Sequence, residues 1–146
     1  MKKIAVLMTL VFMLCAMPLT AFAAEPVAPY AANNPPATPN WTYTANMLSE
    51  LYYEGTTMSC ISSVTGLSNV TSITIEQTLQ KQGLFWTWSK YDDAAWTETI
   101  NHSWALISND KIVLESGKYR LKTVAKVTSN TGKSEKITIY SEILEI

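Results

Sequence analysis

The chain has 146 residues, eleven Lys and Arg against twelve Asp and Glu, and a formal net charge of −1 at pH 7. This near-neutral balance excludes the strongly basic footprint of a nucleic-acid-binding surface. Two cysteines and a single histidine are too few for a disulfide scaffold or a histidine-rich metal site.

The chain opens with Lys2 and Lys3, an apolar run from Ile4 to Leu19, and Ala21-Phe22-Ala23 with small residues at both cleavage-determining positions. This is the pattern of a signal peptide over residues 1–23, removed to leave Ala24 or Glu25 at the mature terminus. The run is shorter than a spanning helix usually needs, so the expected product is a secreted chain with no membrane span after cleavage. Cys15 lies in the leader behind Leu14, where a lipoprotein site would want a small residue, and Cys60 is then alone in the mature chain. It is read as a buried core residue rather than a reactive thiol. Residues 24–40 hold five of the six prolines among Ala and Asn, the composition of a flexible spacer. Residues 41–146 are proline-free, which permits uninterrupted strand ladders over one domain.

Within that domain the dominant signal is period-two alternation, with little sustained helical periodicity. "MSCISSV" places Met58, Cys60, Ser62 and Val64 on one side. "SITIEQTLQ" does the same for Ile73, Ile75 and Leu79, with Thr74, Glu76, Thr78 and Gln80 opposite. "LFWTWSK" reads as a strand with Leu84, Trp86 and Trp88 on one face and Phe85, Thr87 and Ser89 on the other. Turns are expected at Glu54-Gly55, Gly66 to Asn69, Gln82-Gly83, Asp92-Asp93, Asn109-Asp110, Ser116-Gly117 and Asn130 to Gly132. Their spacing, near ten residues, argues for an all-β antiparallel sandwich.

The last two strands are the clearest. Tyr119, Leu121, Ala125 and Val127 alternate with Arg120, Lys122 and Lys126, giving a core face and a basic face. After "SNTG" the chain returns with Ile137, Ile139 and Ile143 inward, while Leu144 and Ile146 take the opposite parity. A bulge at Ser141-Glu142, or exposure of the end, is expected from that switch. Tyr119 follows a glycine turn at the head of the penultimate strand, the position of a tyrosine corner in sandwich folds.

The blocks "TTMSCISSVTG", "VTSITIEQTLQKQ", "SGKYRLKTVAKV" and "GKSEKITIYS" resemble those of small secreted β-sandwich proteins of unknown function from Gram-positive, clostridia-type bacteria. The resemblance covers about Ala45 to Ile146, and it implies an immunoglobulin-like or fibronectin-like sandwich of about seven strands with no established activity. The segment "GLFWTWSKYDDAAWTETINHSWALISNDK" departs from it, being longer and richer in tryptophan.

That segment supplies the candidate ligand-binding residues Phe85, Tyr91 and Trp96, read as partly exposed rings near a hairpin turn at Asp92-Asp93, since aromatic platforms stack on sugars. Trp86 and Trp88 are read as core, with Cys60 and Tyr119 as structural residues. His102 has no neighbouring nucleophile motif and is read as a surface or turn residue. Asp92-Asp93 lacks the spaced oxygens of a calcium loop. Arg120, Lys122 and Lys126 form a stripe that could meet anionic wall polymers, or be neutralised by Glu76, Glu135 and Glu142 on neighbouring strands. No catalytic residue, metal or cofactor is assigned. The expectation is a non-enzymatic secreted or envelope-associated module acting through contacts with a cell-surface protein or polysaccharide. A glycan-binding module is the alternative, and a secreted toxin or antimicrobial-type protein the second.

Overall fold

The computed structural model describes residues Asn40–Ile146. The expected signal peptide (1–23) and all but the last residue of the expected spacer (24–40) lie outside the described residues. What is described is all-β: β1 (Thr44–Glu54), β2 (Thr57–Gly66), β3 (Val70–Gln82), β4 (Trp88–Ile100), β5 (Trp104–Ile112), β6 (Lys118–Ser129), β7 (Ser134–Tyr140) and the short β8 (Leu144–Glu145). Among the described residues no helix is long and apolar enough to cross a membrane.

The strands form two antiparallel sheets. One has the order β1-β2-β5; the other has β4-β3-β6-β7, with β8 continuing along β6. Hairpins generate the β1–β2, β3–β4 and β6–β7 neighbours, but β2 pairs with β5 and β3 with β6, so the chain crosses between the sheets three times, from β2 to β3, from β4 to β5 and from β5 to β6. The inner faces follow the alternation. Met58, Cys60, Ser62 and Val64 are all buried on β2, as are Ile73, Ile75, Gln77 and Leu79 on β3 and Tyr119, Leu121, Thr123, Ala125 and Val127 on β6. Apolar burial of this kind, at about 25 cal/mol per Å², is the main favourable contribution to folding.

The core is not continuous. One apolar cluster gathers Met47, Val64, Val70, Ile73, Ile75, Ala105, Ile107, Ala125, Val127 and Ile137. A second gathers Met58, Cys60, Leu79, Ala94, Val113, Tyr119 and Leu121. Between them runs a polar layer. Thr123 Oγ1 lies 2.8 Å from Ser49 Oγ and 2.7 Å from Ser62 Oγ. Gln77 Nε2 donates to Ser62 Oγ at 2.8 Å and to the Cys60 carbonyl at 3.1 Å, while Gln77 Oε1 accepts from Asn109 Nδ2 at 2.8 Å. The layer draws on β1, β2, β3, β5 and β6. Among the described residues no buried side-chain nitrogen or oxygen is left without a partner. A satisfied buried network of this kind specifies register, because a slip by two residues, which keeps the same face inward, would set its members against the apolar clusters without partners.

Two expected turns are corrected. Asn109-Asp110 lies inside β5, where Asn109 serves the polar layer and Asp110 accepts a 2.7 Å bond from Ser59 Oγ. Asp92-Asp93 lies inside β4 as part of a bulge: Thr78 pairs with Ala95 and Gln80 with Lys90, so four residues of β4 face Leu79 alone. Asp92 has φ +50°, a left-handed conformation that aspartate tolerates better than most residues, and Lys111 Nζ bonds both carboxylates. The side chains that looked like turn chemistry are thus used inside strands. At the other end of the chain the parity switch is present. Ser141 interrupts the β6–β7 ladder, its amide donating to Leu121 O and its Oγ accepting from Leu121 N, and Leu144 then pairs with Tyr119. Ile143 is exposed, whereas Leu144 and Ile146 pack on the second cluster.

Cys60 lies fully inside that second cluster. Burial, with a smaller contribution from the charge of Asp110, pushes its thiol pKa up to about 12. Both accessibility and thiolate population are therefore low at neutral pH. A thiol reagent is expected to label the native protein slowly and the denatured chain fast; rapid native labelling would contradict the β2 register.

Candidate functional site

Tyr119 heads β6 with its ring completely buried and its hydroxyl donating a 2.7 Å bond to the Glu115 carbonyl, four residues upstream. Gly117 turns the intervening chain at φ +147°, and a Cβ there would stand 2.9 Å from Lys81 Cε. The corner is further tied by reciprocal backbone bonds between Gly117 and Ile146, at 2.8 and 3.0 Å. Tyr91 packs edge-to-face on Tyr119, with centroids 5.4 Å apart. Desolvation raises the Tyr119 pKa, so the phenol stays a hydrogen-bond donor.

The aromatic segment is arranged differently from its expected pattern. Tyr91 and Trp96 are half-buried, in keeping with the partial exposure expected of them, but they lie within β4 and pack against the second cluster on its inner side. Trp96 pairs with Gln77, whose side chain faces the core, and cross-strand partners share a face. Trp86, expected in the core, is 76% exposed. The alternation Leu84-Trp86-Trp88 fails because Leu84–Trp86 forms a single 3-10 turn, with Phe85 at φ +57° and Trp86 at φ +63°. Gly83 N bonds Thr87 O at 2.8 Å and Thr87 Oγ1 bonds Leu84 O at 2.9 Å, closing the turn. Phe85 is 91% exposed, as the sequence reading expected of it.

Trp88 is also corrected: it pairs with Gln82 on the outer face of the second sheet and takes no part in the core. There the Arg120 guanidinium lies between two rings, 4.3 Å from the Trp88 centroid and 4.2 Å from that of Tyr140. Its Nε donates to Gln80 Oε1 at 2.8 Å. One row thus crosses β4, β3, β6 and β7, and the rings fix the plane of the guanidinium.

The register gives this outer face the cations Lys90, Lys118, Arg120, Lys122, Lys126 and Lys136, with the carboxylates Glu76 and Glu145. Lys118 pairs with Glu145 at 3.7 Å. The pairs Lys81–Glu115 and Lys111 with Asp92 and Asp93 lie off this face. Lys126 and Lys136 are direct cross-strand partners. Glu76, paired with Val124, stands diagonal to Lys122 and Lys126. Glu135, expected to help neutralise the stripe, faces the other side, where it accepts bonds from Thr42 N, Tyr43 N and Thr44 Oγ1 at 2.7 to 2.8 Å. Burial alone would raise its pKa, but those bonds outweigh it and hold the carboxyl below its usual value.

The outer face of the three-stranded sheet is of opposite character. Glu50, Glu54 and Asp110 lie there among Trp104, Leu106 and Ile112, which are exposed. His102 sits in the β4–β5 connection, where its Nδ1 accepts from Trp104 N at 3.3 Å. Among the described residues no three His, Cys, Asp or Glu side chains converge on a metal-sized site. A shallow cleft of about 440 Å³ is lined by Tyr53, Leu114, Glu115, Ser116, Glu145 and Ile146. Its two carboxylates are engaged, Glu115 by Lys81 at 2.6 Å and Glu145 by Lys118.

Comparison with protein-family models and with curated protein sequences returned no match.

Proposed function

We propose that the chain is a secreted or envelope-associated, non-enzymatic module of immunoglobulin-like or fibronectin-like type, which adheres to anionic surfaces through the outer face of β4-β3-β6-β7. The sheet orders and the Tyr119 bond to the backbone upstream support the fold assignment. The leader residues support the location. The observation that carries the function is the cross-strand pairing of Lys126 with Lys136 beside Lys122 and an oriented Arg120. Like charges placed directly opposite one another reduce sheet stability, so folding alone does not favour them. An anionic partner relieves that repulsion and finds in Arg120 a planar donor fork already held in place.

A glycan platform built on Phe85, Tyr91 and Trp96 has less support, since two of those rings lie against the core.

The test is retention on polyphosphate-coated beads against neutral dextran beads. The parent is expected to be retained on polyphosphate and eluted by salt. A Lys122→Glu/Lys126→Glu/Lys136→Glu variant should lose about a hundredfold or more in affinity, given about 1 kcal/mol for each of three cations near an anionic surface. Its melting transition should change little, these side chains being on the surface. Equal retention of parent and variant would overturn the proposal.

A further inference from the structure

We infer that the Leu84–Trp86 tip is a membrane wedge, which enters the headgroup boundary of an anionic phospholipid bilayer while the neighbouring cations hold the lipid phosphates. The inference rests on the anionic-surface reading above and names its partner.

Leu84, Phe85 and Trp86 are 84%, 91% and 76% exposed, three consecutive large apolar side chains at the end of the β3–β4 hairpin. Their exposure is built into the backbone. Phe85 and Trp86 both adopt left-handed φ, an unfavourable conformation for bulky residues, and the Gly83–Thr87 and Thr87–Leu84 bonds close the loop that imposes it.

The surroundings favour lipid over sugar. A sugar platform sets ring faces beside hydrogen-bonding side chains, whereas this tip presents a leucine and two rings in sequence. Tryptophan and phenylalanine on a short apolar projection are the residues that partition into the bilayer interface. Between Gln80 and Lys90 the sequence has no Asp or Glu, so no carboxylate of the loop opposes approach to anionic headgroups. Gln80 pairs with Lys90 on one side and Arg120 on the other, while Gln82 pairs with Trp88. The two cations are therefore about 7 Å back along the strands from the ladder pair that closes the tip. That spacing sets apolar side chains at the membrane boundary and charges at phosphate level.

The experiment is co-flotation of the mature chain with phosphatidylcholine vesicles, with and without phosphatidylglycerol as a minor component. The parent is expected to float with the phosphatidylglycerol vesicles. Leu84→Ser/Phe85→Ser/Trp86→Ser should lower that partition about tenfold or more while leaving the melting transition and retention on polyphosphate beads unchanged. If the serine variant floats as the parent does, the wedge is wrong and the charge reading stands. If the parent is retained on polyphosphate yet floats with neither vesicle, the partner is an anionic polymer and the lipid inference is overturned. Equal flotation with both vesicles would remove the role of the cations, and loss of retention on cell-wall polysaccharide by the serine variant, with no vesicle binding, would assign the tip to glycan.

Discussion

Replacing Tyr119 by alanine is expected to destabilise the domain by about 3 to 5 kcal/mol, the range for deleting a fully buried aromatic ring. The ring is fully inside the second cluster, supports Tyr91 edge-on, and fixes the approach to β6 through its bond to Glu115. A single-domain stability is typically 5 to 15 kcal/mol, roughly. The alanine variant should therefore be largely unfolded near body temperature if the parent sits low in that range. Tyr119→Phe isolates the hydroxyl. It keeps the packing but leaves the Glu115 carbonyl without its donor, and should cost about 1 to 2 kcal/mol. Denaturant melts of both variants measure the split, and a phenylalanine variant as stable as the parent would show that the corner bond contributes nothing.

Gln77→Leu is the second large effect, expected at about 2 to 4 kcal/mol although leucine is apolar and of similar size. Gln77 joins two halves of the polar layer, accepting from Asn109 and donating to Ser62 and the Cys60 carbonyl. Each buried group left unpaired costs about 1 to 3 kcal/mol, more than the added apolar contact returns. Removing Asn109 as well should recover part of the loss, because a donor with no acceptor is then gone. The double variant Gln77→Leu/Asn109→Leu is thus expected to be more stable than the sum of its single variants. Additive losses would mean that the two side chains do not share a bond.

These two residues also show what a single sequence conveys. Tyr119 was legible because its role is local: a glycine turn, a tyrosine and an alternating strand stand next to one another in the chain. Met58, Cys60, Ile73, Ile75, Leu121 and Val127 were legible as inward positions for the same reason, since alternation is a property of one strand. The polar layer was not, because Ser49, Ser62, Gln77, Asn109 and Thr123 meet only after five strands have paired. Asn109 then read as a turn residue, and the Asp92-Asp93 bulge misled in the same way.

The aromatic segment was the least legible part. Alternation over Leu84, Trp86 and Trp88 is also what a strand would give, and only the left-handed φ values of Phe85 and Trp86 separate the two outcomes. The basic stripe of Arg120, Lys122 and Lys126 was visible on β6, but its extension by Lys90 and Lys136, and the placement of Trp88 and Tyr140 around Arg120, depended on register. In sequence, neutralisation of the stripe by Glu76, Glu135 and Glu142 looked the better reading. The Glu135 carboxylate is instead occupied by Thr42, Tyr43 and Thr44 at the start of the domain.

Amide chemical-shift mapping of the β-domain during titration with short-chain polyphosphate tests the proposed contact face most directly. The expected perturbations cluster at Lys90, Arg120, Lys122, Lys126 and Lys136 and at the Trp88 indole, fading as salt rises. Perturbations centred on Trp104, Leu106 and Ile112 across the sandwich, or none at concentrations where the protein is retained on polyphosphate beads, would contradict it.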